Sequence, residues 1–226
     1  MGNYYFEQFC RPRGDFRIKE IIDFLDLMKE AFGLSKLFDS ENNPIELSEG
    51  NIKSIFENIL EKSHFKDVGV DEDFFTIQPD ERDDDTIRIE IHTGTHLGKN
   101  FNDTYNISIG EKRNVPDFIY FKKSIEIFKP FEAYISEFKN ENDLNAYDRQ
   151  QEIPNFDKPV IIRGFHYLDK DLASSVGGIE RCLKAPAWKV ERFCEGVLIQ
   201  LTEGLFDPEN PDHIKIQKEV MKYLKV

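Results

Sequence analysis

The sequence predicts an α+β domain, formed by residues 1–226 as one unit, with an antiparallel sheet of about five to seven strands and helices packed mainly on one face. Three observations predict it. Apolar residues recur at helical spacing in separate stretches, each introduced by a residue able to cap a helix. Runs such as Thr86 to His92 (TIRIEIH) alternate apolar and polar side chains, as a strand with one covered face does. The last third, Pro159 to Val226, reads as strand, helix, hairpin and closing helix with punctuation at each joint.

Taken in order, Asn3 to Phe9 (NYYFEQF) is an aromatic first strand broken by Arg11-Pro12-Arg13-Gly14. Asp15 is placed to cap a helix whose stripe is Ile18, Ile21, Ile22, Leu25, Met28 and Phe32, closed by Gly33. Ser48 caps a second helix carrying Ile52, Ile55, Phe56, Ile59 and Leu60. Thr86 to His92 and Tyr105 to Ile109 are expected as antiparallel neighbours, with Phe74 to Ile77 as a third strand beside them. Phe121, Ile125, Phe128, Ile135 and Phe138 suggest a helix over residues 115–139 that breaks or kinks near Lys129, because Pro130 lies inside it. Val160 to Leu168 is expected as a strand, Asp169 as the start of a short helix and Gly177-Gly178 as its end. Trp188 to Phe193 and Val197 to Thr202 form a hairpin around Cys194-Glu195-Gly196, with Gly196 assigned to the turn position that needs a positive φ. Asn210-Pro211 opens a final helix with Ile216, Val220, Tyr223 and Leu224 on one stripe.

The chain is 39% hydrophobic and holds 20 Phe, too apolar for disorder despite a formal charge of −13. No window approaches the roughly 18 consecutive apolar residues of a membrane span, and the start (MGNYYFEQF) lacks the basic and apolar regions of a signal peptide. The expectation is a soluble, cytoplasmic protein. Three cysteines, Cys10, Cys182 and Cys194, without C-x-x-C spacing fit reduced thiols. The charge is uneven: residues 156–226 hold eleven acids and eleven bases, whereas residues 67–85 hold nine acids against Arg82 alone. Asp71, Glu72, Asp73, Asp80, Glu81, Asp83, Asp84 and Asp85 form the bulk of that run. Such a surface repels nucleic acid and anionic membrane and attracts a cationic protein; as a solvated loop it would only aid solubility.

Catalytic and metal patterns are thin. His92 and His96 lie four apart near Glu90 and Asp103, but strand followed by a glycine turn does not converge them, and no H-E-x-x-H is formed. Gly94 to Asn100 resembles a phosphate loop until counted: three residues separate the glycines, and Asn100 stands where a magnesium-binding hydroxyl belongs. His166 reads as a satisfied core histidine, and Cys194 has no cationic neighbour beyond Arg192 to activate it. No bound metal, cofactor or hydrolytic activity is expected. Trp188, alone at the start of an edge strand, is a packing anchor or an interface anchor.

The aromatic first strand with Pro12-Arg13, the Gly164-Phe165-His166-Tyr167-Leu168 strand, the Gly196-Val197-Leu198-Ile199 strand and the Phe206-Asp207-Pro208-Glu209-Asn210-Pro211 helix entry together resemble the immunity proteins of bacterial polymorphic toxin systems, in particular the immunity protein 52 family. The resemblance implies a non-catalytic, cytoplasmic α+β protein that binds and neutralises a cognate toxin, in this family often a nuclease of restriction-endonuclease type. A nuclease is cationic where it holds nucleic acid, so the acidic run and Trp188 are the expected toxin-binding residues. A scaffold or adaptor without a toxin partner, and an enzyme of unknown type, are the other classes the sequence leaves open.

Overall fold

A computed structural model describes residues 3–11, 13, 17–39, 43–62, 74–77, 87–92, 102–110, 114–138, 158–159 and 161–226. The chain divides into two compact units, one of Met1–Gln8 with Lys129–Val226 and one of Phe9–Phe128. The former is discontinuous in sequence and the latter continuous. Strand β1 (Asn3–Cys10) starts in the discontinuous unit and ends in the continuous one. Both units are mixtures of helix and antiparallel strand, so the α+β class and the antiparallel pairing are those expected.

In the continuous unit, α1 (Ile18–Phe32) buries Ile21, Phe24, Leu25, Leu27 and Met28, and Gly33 closes it at φ 65° with its N–H on Glu30 O. Asp15, expected as its cap, lies outside the described residues, and Arg17 holds the N-cap position in the left-handed region at φ 47°. Helix α2 (Glu49–Lys62) is capped as expected: Ser48 Oγ accepts from Asn51 N–H at 3.4 Å. Strands β2 (Phe74–Ile77), β3 (Ile87–His92) and β4 (Asp103–Ile109) pair antiparallel in that order, with Ile89 opposite Ile107 and Ile91 opposite Tyr105. Ile87, Ile89, Ile91, Tyr105, Ile107 and Ile109 are buried on one face, which is why alternation located these strands.

Residues 115–139 differ from the expectation. Helix α3 (Phe118–Phe128), opened by Asp117 Oδ1 accepting from Ile119 N–H, stops at Lys129, whose φ is 49°. Pro130 follows, and Glu132–Phe138 is strand β5 rather than a second helical segment. The break near Lys129 is where the sequence places it, but Ile135 and Phe138 belong to a strand, and with β5 the strands among the described residues number eight. Ala133, Tyr134, Ile135 and Ser136 are all buried, so both faces of β5 are covered and no alternation marks it.

In the discontinuous unit, β5, β6 (Phe165–Leu168), β8 (Gly196–Gln200) and β7 (Lys189–Phe193) pair antiparallel in that order. Strand β6 is shorter than the expected Val160 to Leu168. All four of its residues are buried, so it has two covered faces and not one. Asp169 caps α4 (Lys170–Ser175), accepting from Asp171 and Leu172 N–H, and Gly177 and Gly178 end it at φ 106° and 91°. A short α5 (Ile179–Cys182) follows. Asn210 Oδ1 accepts from Asp212 N–H at 3.0 Å to cap α6 (Pro211–Leu224), which buries Val220 and Leu224. Gln217 Nε2 donates to Ile162 O at 2.7 Å, Arg181 donates to Tyr223 O, and its guanidinium lies over the Tyr223 ring; these contacts fix α6 along its length.

The β7–β8 turn corrects the assignment made to Gly196. Phe193 pairs with Gly196, so the turn is Cys194-Glu195, and Cys194 takes the positive φ at 47°. Gly196 is required for close approach instead, since a Cβ there would meet Leu168 O at 2.0 Å and Asp169 Cα at 2.8 Å. Cys194→Gly should therefore stabilise the protein by about 1 kcal/mol by relieving the left-handed backbone. Gly196→Ala should destabilise it by more than that. Urea unfolding of the two variants checks the pair, and opposite signs would show that the roles are reversed.

Candidate functional site

Asp71, Glu72, Asp73, Asp80, Glu81, Asp83, Asp84 and Asp85 lie outside the described residues, as do His96 and the Gly94 to Asn100 loop. Trp188 is described, and it is 52% exposed, a large exposure for the chain's single tryptophan. It sits one residue ahead of β7, where its N–H donates to Leu201 O at 3.2 Å and extends the hairpin by one rung.

Trp188 forms one wall of a cleft of about 510 Å³ in the discontinuous unit. Three segments build it. Pro186 and Ala187 lead into the indole; Leu201 to Glu203 follow β8; Asp212, His213 and Ile216 come from the first turns of α6. Leu201 and Ile216 give it an apolar part, and Glu203 and Asp212 are exposed acidic residues among its lining. The segment after β8 is held tightly. Gln200 Nε2 donates to Glu203 O at 3.0 Å, Thr202 Oγ1 donates to Gly204 O at 2.9 Å, and Asp207 N–H donates to His213 Nδ1 at 3.0 Å. Gly164 leaves room for Phe206, whose Cβ would lie 2.2 Å from a Cβ at that position. The cleft is thus a preformed concavity, with its polar groups placed by backbone bonds.

His166 is fully buried. Its Nδ1 accepts from Arg163 N–H at 2.9 Å, so its Nε2 carries the proton and donates to Glu132 Oε1 at 2.9 Å. Beside it, the Arg163 guanidinium lies 5.5 Å from the Tyr134 ring centroid, and Tyr134 hydrogen-bonds Glu7. Burial, before the nearby Glu7 charge, pushes the Tyr134 phenol well above its usual range. His166 is the satisfied core histidine the sequence suggests, closed to any substrate.

A second buried cluster occupies the continuous unit. The Arg17 guanidinium donates to Asp103 Oδ2 at 3.1 Å, to Arg11 O at 2.7 Å and to Phe128 O at 3.4 Å. Asp103 is therefore held by Arg17. Cys10 Sγ approaches the same Phe128 carbonyl, and burial pushes its thiol up to about 12. Tyr105 stacks on Phe128 with centroids 3.7 Å apart. Cys182 is likewise buried, its thiol raised to about 11 by desolvation, whereas Cys194 is exposed. No cluster of three or more His, Cys, Asp or Glu able to hold a metal occurs among the described residues. Nor, among them, is any helix long and apolar enough to cross a membrane.

Composition and motif spacing singled out Trp188, but Glu203, Asp212 and His213 carried no signal beyond ordinary surface polarity. They meet Trp188 only through the fold.

A comparison with protein-family models found no match, and a comparison with curated protein sequences found none. Among solved structures, the Pseudomonas aeruginosa T6SS protein PA0821 is similar over 99% of this chain and 73% of its own, with a TM-score of 0.61 at 12% identity. At that identity the likeness is one of fold.

Proposed function

We propose that this chain is a non-catalytic immunity protein that works in the cytoplasm, binding and neutralising a cognate bacterial toxin, with a cationic nuclease as the class of target. The observation that carries the reading is Trp188, half exposed on a preformed cleft with apolar and acidic residues in its lining. Aromatic anchors of this kind are the residues on which protein interfaces concentrate their energy. The fold shared with a T6SS protein agrees with a toxin-related setting. The acidic run of residues 67–85 supplies the long-range field that would draw a basic partner in.

The test is co-expression with the toxin domain encoded beside this gene, reading cell survival, followed by binding kinetics on the purified pair. Protection with a stable complex is expected; neither protection nor complex would overturn the reading and leave the scaffold and enzyme classes. Within the complex, replacing Asp83, Asp84 and Asp85 by Lys should slow association and flatten its salt dependence, since exposed charges act through a field screened within about 8 Å. Trp188→Ala should instead raise the dissociation rate about 30-fold, corresponding to about 2 kcal/mol. An unchanged association rate at low salt in the Lys variant would reduce the acidic run to a solubility feature.

A further inference from the structure

We infer that the Trp188 cleft is an arginine-binding subsite, which takes a guanidinium side chain from the protein partner; the inference rests on the interface reading above and gives its ligand chemistry. The ligand is identified by what the three segments offer. Trp188 presents the aromatic side chain that attracts a cation most strongly. Glu203 and Asp212 bring two carboxylates from different segments, and neither is ion-paired with another described residue. Among the described residues that line the cleft there is no Lys or Arg to pair with them, and Asp212 is offset only by the N-terminus of α6. His213 adds no positive charge while its Nδ1 accepts from Asp207 N–H.

Geometry favours arginine over lysine. A guanidinium is planar, stacks on an indole face and still directs N–H groups outward in its own plane toward carboxylates. An ammonium is a point charge that holds its water more tightly and makes no stack. The apolar lining residues Ile216, Leu201 and Pro186 suit the methylene stem that carries the guanidinium. The bonds that fix residues 200–213 mean that binding would order little of the site.

Because the chain has one tryptophan, its fluorescence reports on this cleft alone. The protein is titrated with Gly-Arg-Gly, Gly-Lys-Gly and Gly-citrulline-Gly, the last being the uncharged isostere. A saturable change with the arginine peptide is expected, with affinity about 10-fold weaker for lysine and no saturation for citrulline. Glu203→Gln combined with Asp212→Asn should weaken the arginine response at least about 10-fold while leaving the circular dichroism spectrum unchanged. Equal responses to arginine and citrulline, or none to arginine, would overturn the assignment. Cell protection without arginine-peptide binding would remove the subsite and leave the immunity reading. Peptide binding without protection would do the reverse.

Discussion

Leu198→Asp is expected to abolish the cooperative urea transition. Leu198 is 2% exposed at the centre of β8, opposite Tyr167 on one side and Glu191 on the other. The substitution gives up about 2 kcal/mol of apolar burial and adds several kcal/mol for desolvating a carboxylate without a partner. It also sets that carboxylate directly across the ladder from Glu191, where like charges repel. The total rivals the roughly 5–15 kcal/mol by which a domain is stable. A variant that still unfolds cooperatively within about 1 kcal/mol of the parent would mean that β8 is not the buried centre of its ladder.

Asp103→Ala should cost about 3–5 kcal/mol, because it removes the carboxylate paired with the Arg17 guanidinium, which is 7% exposed. Asp103→Asn, which keeps an acceptor but not the charge, should cost less. The double replacement Arg17→Met with Asp103→Leu should recover most of the loss, since removing both charges removes the desolvation penalty as well. Urea midpoints of the three variants decide. Equal losses for Asp103→Ala and the double variant would show that packing, and not the charge left on Arg17, sets the cost.

Local chemistry was legible wherever one face or one cap decides the structure. Ser48, Asp169 and Asn210 cap the helices the sequence assigns to them, and β3 and β4 alternate because only one face of each is buried. Legibility failed at β5, whose strand is read as helix. Both faces of β5 are buried, including Ser136, and Ile125, Phe128, Ile135 and Phe138 fall at spacings a helix would use. The turn at Cys194 was misassigned because a glycine next to a turn usually supplies the positive φ, whereas here the demand on Gly196 comes from Leu168, far away in sequence. Of the site, Trp188 stands out as a lone tryptophan, but its pairing with Glu203 and Asp212 depends on how β8 leads into α6. No local pattern encodes that.

The discontinuous unit also bears on the order in which the protein can be made. Met1–Gln8 are synthesised well before the remainder of their unit, which begins only at Lys129. At about 5–20 residues per second, they wait several seconds while the whole of Phe9–Phe128 is synthesised. The continuous unit has all its own residues by then. The aromatic segment Tyr4-Tyr5-Phe6 is thus made long before the rest of its own unit, and an apolar nascent segment of this kind is one a chaperone would be expected to hold.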